Sequence, residues 1–351
     1  MARIFIVEKS YVVDNKTKKM GFYDSVLVYR DNVKRLKPGV DVTIKNHNLT
    51  GRDILFRTNS FGFRGPELGR LMLERSFKVL FFGDSITLEN YLLEDETYLG
   101  MLQARFTKEK NKQDVCIVNG GIWDAGVQEE CAIFEEKTSL LKPQLVIINF
   151  YLNDSRPSWG FDREKRLEIL KFLQNSRLIS YLYSRFAVQS YLTKNKLVRY
   201  NFRFGWIQMA KNRDWVKDKK SFIALAKAAD LDWGAAWDES SWLMVEKYLA
   251  KMKKIAEEKN IQLAVACFPV SFQVYADFLE NTPQEKLKNI CQGMGIDCLD
   301  LLPVFRRHKD QALFYDHCHP NIEGNKLITG ELYTYVNERT SRRTTKMGVA
   351  Q

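Results

Sequence analysis

Short apolar runs alternate with amphipathic stretches along most of the chain. Five runs are short, rich in β-branched and aromatic residues, and bounded by polar or turn residues, which is typical of buried parallel strands. They lie at residues 77–84, 114–118, 145–150, 262–268 and 296–299. The pattern therefore predicts five strands.

Apolar residues recur at helical spacing between and after these runs. The predicted helices lie at about residues 96–106, 127–142, 242–255, 282–294 and 322–336. Glu96 and Thr97 are entry signals for the first helix, Pro283 stands near the start of the fourth, and Asn321 is a suitable N-cap for the last. Strands that alternate with helices predict an α/β fold, with one parallel sheet covered by helices on both faces.

Two regions fall outside this alternation. Residues 1–75 form a polar extension with β character, expected to pack on the core, and residues 156–240 form a predicted helical insertion rich in Lys, Arg, Trp and Tyr. Within the insertion, residues 178–192 form an amphipathic stretch whose simplest role is to pack against the main domain. The alternatives are that it covers the active site, contacts a partner or contacts lipid. The catalytic domain is expected over residues 76–340, followed by a basic, disordered tail at 341–351.

Charge and composition narrow the classes of partner. The chain has 351 residues, 45% of them hydrophobic, and a formal net charge of +11. Part of the basic excess lies at residues 194–220, so an anionic surface is a possible partner, whereas no zinc-finger or RNP-type motif indicates specific nucleic-acid binding. No apolar run is long enough for a transmembrane helix.

The start of the sequence and its cysteines bear on the cellular compartment. Residues 1–10 lack the apolar core of a signal peptide, and the six cysteines follow no CxxC spacing. A cytoplasmic location with reduced cysteines is expected, although an exported protein after processing would have the same sequence.

A serine follows the first predicted strand. Gly83-Asp84-Ser85 lies where that strand turns into a helix, at the carboxyl edge of the sheet where ligands bind in such folds. Ser85 is therefore a candidate nucleophile. Asp84 and Ser85 are also common turn-capping residues, so the turn alone does not decide the matter.

A serine nucleophile needs a base, and the chain has only four histidines. Asp316-His317-Cys318-His319 lies between the last strand and the last helix, which returns it to the edge that contains Ser85. The spacing of three lets Asp316 accept a hydrogen bond from one nitrogen of His319 while the other faces the serine. These residue types also bind metals, but no second ligand cluster accompanies them, so no metal or cofactor is expected.

Two further turns offer hydrogen-bond donors for an oxyanion. Residues 119–126, Asn-Gly-Gly-Ile-Trp-Asp-Ala-Gly, follow the second strand, and Asn153 follows the third. Glycines permit close approach of the backbone to a ligand, and the Asn153 amide can donate directly.

These four segments together resemble the ordered blocks of SGNH/GDSL hydrolases. The matching residues are Gly83-Asp84-Ser85-Ile86, the loop from Asn119 to Gly126, Asn153-Asp154, and Asp316-x-x-His319-Pro320. The segment at residues 59–65, Asn-Ser-Phe-Gly-Phe-Arg-Gly, also resembles one that precedes the first block in a poorly characterised bacterial branch.

The resemblance implies a flavodoxin-like three-layer α/β/α sandwich with Ser85, His319 and Asp316 as catalytic triad. It also implies an oxyanion hole made by the Ser85 amide, the Asn153 side chain and an amide of the second block. The glycine expected in that block is replaced by Asp124, so Asp124, Gly126 and Gly121 are all candidates. Tyr151 likewise stands where the third block usually has glycine.

The expected activity is hydrolysis of an O-acyl ester of a small molecule or carbohydrate, for example an acetylated sugar. An O-acyltransferase with the same triad is one alternative. A non-catalytic carbohydrate-binding protein that retains the fold is another.

Overall fold

The computed structural model describes residues 11–14, 17–20, 25–31, 33–109, 114–155, 219–227 and 233–348. Most of the predicted insertion, including the amphipathic stretch at 178–192 and nearly all of the basic segment at 194–220, lies outside these ranges.

The extension before the first predicted strand is rich in short antiparallel strands. One small sheet has the order β2-β1-β5-β6, and β3 and β4 form a separate hairpin. The strands are β1 (Tyr11–Asp14), β2 (Thr17–Met20), β3 (Leu27–Arg30), β4 (Val33–Leu36), β5 (Asp41–Lys45) and β6 (Ile54–Arg57). In β6 burial alternates, with Ile54 and Phe56 inside and Leu55 and Arg57 outside, as expected for a strand with one buried face.

The five predicted strands form one parallel sheet, as the sequence pattern indicates. They are β7 (Phe77–Gly83), β8 (Val115–Gly121), β9 (Leu145–Tyr151), β10 (Gln262–Phe268) and β11 (Asp297–Asp300). Their spatial order, β11-β10-β9-β7-β8, is the flavodoxin-like 2-1-3-4-5 order read from the other edge. All seven residues of β9 are buried, because the strand lies in the centre of a sheet with both faces covered.

Helices cover the sheet to give the predicted three-layer α/β/α sandwich. The helices are α1 (Arg70–Arg75), α2 (Ser85–Leu88), α3 (Tyr98–Lys108), α4 (Val127–Leu141), α5 (Lys219–Lys227), α6 (Trp242–Glu258), α7 (Ser271–Tyr275), α8 (Thr282–Gly293), α9 (Leu302–Arg307) and α10 (Ile322–Gly348). Helix α3 packs against α10, and α4 packs against α6. Thr97 caps α3 through its side chain, and Asn321 accepts the Gly324 N–H at the start of α10.

The last helix differs from the prediction. It continues beyond residue 336 to Gly348, so the helix includes residues 341–348, which the sequence pattern assigns to a tail. No Pro or Gly interrupts the sequence between Val336 and Lys346, and the polar residues there do not by themselves end a helix.

The six cysteines, all within the described ranges, form no disulfide there. Within the described ranges, no helix combines the length and the apolar character needed to cross a bilayer.

Candidate active site

Ser85 is the first residue of α2, directly after β7. Asp84 caps the helix by accepting the Ile86 N–H at 2.9 Å through Oδ1. The turn is tight: a Cβ atom at Gly83 would lie 2.2 Å from Thr87 Oγ1 and 2.9 Å from the Asn149 carbonyl oxygen. Glycine is therefore required before the Asp-Ser pair, and the turn leaves the Ser85 side chain partly exposed at the carboxyl edge.

The structure brings Ser85 and His319 together. Ser85 Oγ lies 3.1 Å from His319 Nε2, within hydrogen-bond distance. His319 Nδ1 lies 2.8 Å from Asp316 Oδ2. The three side chains thus form the Ser-His-Asp chain of contacts in which one ring nitrogen faces the serine and the other faces the carboxylate.

The Asp316 carboxylate is held by its own segment. Its Oδ1 accepts the backbone N–H groups of Cys318 at 2.9 Å and of His319 at 2.8 Å. Burial alone would favour the neutral acid, but the charges of His319 and His317 and the hydrogen bonds from His319 outweigh it. The pKa of Asp316 therefore lies well below its usual value, and the group is a carboxylate at neutral pH.

The other two residues of this segment have different surroundings. The His317 ring packs against Trp233, with centroids 4.8 Å apart, and is not the histidine in contact with Ser85. Cys318 Sγ lies 3.2 Å from His319 Nδ1, so ligand atoms of Asp316, Cys318 and His319 fall within 4.8 Å of one another. These three atoms could bind a soft metal ion, but such an ion would compete with Asp316 for the His319 nitrogen.

Asn153 follows β9 and contacts the turn that contains Ser85. Its Nδ2 donates to Asp84 Oδ2 at 3.2 Å, while its Oδ1 is buried and has no hydrogen-bond partner among the described residues. Burial raises the pKa of Asp84 to about 6, against the hydrogen bonds from Ile86 and Asn153 and the charge of His319. Asn153 therefore lies beside the Asp84-Ser85 turn, with a second amide hydrogen that Asp84 does not use.

The second block lies against the same turn. Asn119 Nδ2 donates to the Thr87 carbonyl oxygen, and Asn119 Oδ1 accepts the Gly121 N–H, both at 2.9 Å. The N–H of Gly121 is thus engaged inside the protein. Asp124 has a left-handed backbone with φ of +49°, and Gly126 is the N-cap residue of α4.

Two basic residues of the N-terminal extension also reach this region, and the sequence patterns did not indicate them. Lys34, on β4, donates to the carbonyl oxygens of Trp123 and Asp124 in the second block. Buried Arg64 donates to the carbonyl oxygens of Leu88, the last residue of α2, and of Leu92 beyond it. The resemblance at residues 59–65 was the only sequence signal for either, and it includes Arg64 alone.

Aromatic and titratable residues surround His319. Tyr91 packs edge-on against the His319 ring, with centroids 5.1 Å apart, and the His47 ring lies 6.4 Å from that of Tyr91. Burial, together with the charge of His319, lowers the pKa of His47 to about 4, so His47 is neutral at pH 7. His47 comes from the extension, which therefore contributes to the surroundings of the triad as well.

A cavity of about 940 Å³ lies elsewhere, at the amino ends of the strands. Its lining includes Phe77, Gln144, Lys259 and Gln262. None of the candidate site residues lines it, and in this fold ligands bind at the opposite, carboxyl edge. The chemistry of the side chains, rather than cavity size, identifies the candidate site.

No family model and no curated protein matches this chain. Solved structures that match it include TesA, with 12% identity and a TM-score of 0.41, covering 73% of this chain and 96% of TesA. The acetyl xylan esterase AlAXEase matches with 14% identity and a TM-score of 0.44, covering 74% and 99%. A member of the lipolytic protein G-D-S-L family from Veillonella parvula matches with 14% identity and a TM-score of 0.38, covering 72% and 94%.

The sequence blocks themselves lie together in space. Gly83 ends β7, residues 119–121 end β8, and Asn153 follows β9, all at the carboxyl edge of one sheet. Asp316 and His319 come after α9, and His319 reaches the same edge, where it contacts Ser85. The chain thus has the flavodoxin-like strand order, and the four segments resemble the ordered blocks of SGNH/GDSL hydrolases.

Proposed function

We propose that this protein is a serine ester hydrolase of the SGNH type that acts through a covalent acyl-enzyme. The observation that supports this most strongly is the continuous contact from Ser85 Oγ through the His319 ring to Asp316, with distances of 3.1 and 2.8 Å. A contact between a serine and a base that is itself oriented by a carboxylate is the arrangement that activates a hydroxyl nucleophile.

In the proposed reaction, His319 Nε2 takes the proton of Ser85 as Oγ bonds to the ester carbonyl carbon. The carbonyl electron pair moves to oxygen and forms an oxyanion. When this intermediate collapses, the bond to the alcohol oxygen breaks, and His319 gives its proton to the departing alcohol. Water then attacks the acyl-enzyme with the same base, which releases the acid and restores Ser85.

Three donors are proposed for the oxyanion. Ser85 stands at the first position of α2, where a backbone N–H has no acceptor within the helix. Asn153 Nδ2 has a hydrogen beyond the one given to Asp84. The third is a backbone amide of the second block: Gly121 already donates to Asn119, which favours Asp124 or Gly126.

The proposed substrate is an oxygen ester of a small molecule or carbohydrate, with acetylated sugars the first class to test. The residues described do not select the alcohol. Hydrolysis and acyl transfer use the same triad and differ in what reaches the acyl-enzyme. Adding an acceptor sugar distinguishes them: a hydrolase releases acetate at the same rate, whereas an acyltransferase forms the acylated sugar at the expense of acetate.

The direct test is turnover of an aryl acetate by the Ser85→Ala variant. We expect a loss of about a thousandfold or more, with melting temperature little changed. Ser139→Ala, a substitution of an exposed serine on α4, serves as control and should retain full activity. Full activity in the Ser85→Ala variant would reject the nucleophile, and inactivity of the folded wild-type protein on all esters would favour the binding-protein alternative.

A further inference from the structure

Lys34 is a buried lysine whose ammonium group lies at the second block. Only 4% of its side chain is exposed, although it belongs to the N-terminal extension. Lysine is almost never buried to this degree unless its charge is paired. The pairing group is Glu129, in the first turn of α4, whose Oε2 lies 3.1 Å from Lys34 Nζ.

The same ammonium group binds two consecutive carbonyl oxygens of the second block. Lys34 Nζ lies 3.1 Å from the Trp123 oxygen and 2.5 Å from the Asp124 oxygen. The Asp124 carboxylate, at 3.9 Å, adds a weaker attraction. Trp123 and Asp124 therefore accept hydrogen bonds from the ammonium group, and Glu129 pairs with its charge. Glu129 Oε1 also accepts the backbone N–H of Lys34 at 3.1 Å, so the lysine is anchored by its charge partner while it holds the loop.

These contacts fix the direction of the backbone amides in the loop. In a trans peptide the C=O and N–H of one unit point in opposite directions. A Trp123 carbonyl that faces Lys34 therefore turns the Asp124 N–H away from Lys34. The Asp124 carbonyl does the same for the Ala125 N–H, which donates to the Ile122 carbonyl oxygen at 3.2 Å. Asp124 also has a left-handed backbone, with φ of +49°, which non-glycine residues adopt only at some cost, so such a conformation needs support from its surroundings.

We propose that Lys34 is a positioning residue for the oxyanion hole, holding the 123–126 loop so that one of its backbone amides can donate to the oxyanion. This inference rests on the proposed ester hydrolysis and extends it, because it gives the N-terminal extension a part in the reaction. The glycine that the resemblance leads one to expect at residue 124 is absent, and Lys34 supplies the support for the left-handed backbone that replaces it.

The experiment compares Lys34→Met with Arg35→Met, its matched control. Arg35 is the next residue on β4 and also pairs with α4, through Glu136 at 2.6 Å, but it does not contact the second block. Both substitutions remove an ion pair between the same strand and the same helix. Each variant is assayed with an aryl acetate for kcat and KM, and with a boronic acid inhibitor that forms a tetrahedral adduct on the serine.

We expect Lys34→Met to lower kcat ten- to a hundredfold while KM changes less than threefold, because the lost interaction is made mainly in the transition state. Affinity for the boronic acid should fall by the same factor as kcat/KM. Arg35→Met should keep kcat within about twofold. Equal losses of kcat in both variants, or a kcat for Lys34→Met within twofold of wild type, would overturn the inference.

Two further variants separate positioning from folding. Lys34→Met leaves Glu129 buried without its charge partner, so the double variant Lys34→Met/Glu129→Gln is included to remove that charge. Lys34→Arg keeps a cation for Glu129 with a different donor geometry and should recover stability more fully than kcat. If only Lys34→Arg folds, a kcat equal to wild type overturns the inference. Ser85→Ala is assayed alongside: if it remains active, the proposed function fails, whatever the Lys34 variants do.

Discussion

Asp316 binds His319 twice. One carboxylate oxygen lies 2.8 Å from the ring nitrogen Nδ1, and the other accepts the backbone N–H of the same residue, also at 2.8 Å. In the proposed reaction, the first contact selects the tautomer in which Nε2 can accept a proton from Ser85, and the second fixes the backbone from which the ring projects.

Asp316→Asn is therefore expected to reduce kcat by about three to four orders of magnitude with little effect on KM. An asparagine amide can donate to Nδ1, which would place the histidine proton on Nε2 and prevent it from accepting the serine proton. The pH–rate profile and kcat of this variant check the prediction. Asp310→Asn, at an exposed aspartate, should behave as wild type; an Asp316→Asn variant with more than a tenth of the wild-type kcat would contradict the assigned role.

The two neighbouring histidines should differ sharply. We expect His319→Ala to lose at least a thousandfold in aryl acetate turnover, because no other described imidazole contacts Ser85. His317→Ala should lose less than tenfold in the same assay. The His317 ring packs against Trp233, and its charge helps to lower the pKa of Asp316. The reverse order of activities would mean that His317 is the base.

Gly121 allows the second block to approach α2, the helix that begins at Ser85. A Cβ atom there would lie 2.3 Å from the Leu88 nitrogen and 2.6 Å from the Thr87 carbonyl carbon, so one chain or the other must shift. We expect Gly121→Ala to reduce the free energy of unfolding by about 1–3 kcal/mol and turnover by tenfold or more. In Gly293→Ala the added methyl group meets no atom within 4 Å, so this control should be neutral or slightly stabilising in a urea titration. Unchanged activity and stability in Gly121→Ala would show that the close approach is not needed.

Glu89 should make the stability of the protein depend on pH. Burial raises its pKa to about 8, against the hydrogen bond from Asn325 and the charge of Arg64. The folded protein then holds this proton more tightly than the unfolded chain does, so the stabilisation is complete below about pH 4.5 and is lost as the pH rises through about 8. The loss is at most about 1.4 kcal/mol per pH unit.

Other groups act below pH 6.5. Because the pKa of His47 is lowered to about 4, this residue makes the free energy of unfolding rise with pH between about 4 and 6.5. Asp84, whose pKa is raised to about 6, makes it fall with pH up to about pH 6. Between pH 6.5 and 8 the decline comes from both Glu89 and Glu130, because burial raises the pKa of each. Glu89→Gln should therefore reduce the slope of unfolding free energy against pH over this window, whereas Glu74→Gln, at an exposed site, should not. An unaltered slope in Glu89→Gln would contradict the raised pKa.

The sheet was predictable from sequence because each of its strands is a short apolar run with turn residues at its end, as at Phe77–Gly83 and Leu145–Tyr151. Once the strands are parallel, the turns that follow them meet at one edge, and Ser85 and His319 meet with them. Lys34 and Arg64 could not be placed in this way, since their contacts depend on how the extension packs. A basic residue in a polar segment has the same local pattern whether it is solvated or buried.

The central claim is that Ser85 is the activated nucleophile, and labelling with a fluorophosphonate tests it most directly. The serine oxygen bonds to phosphorus and displaces fluoride, so the adduct can be located by peptide mass spectrometry. We predict one adduct, on Ser85, which forms in wild type and is lost in His319→Ala. Folded protein that forms no adduct, or an adduct on another residue, would contradict the account.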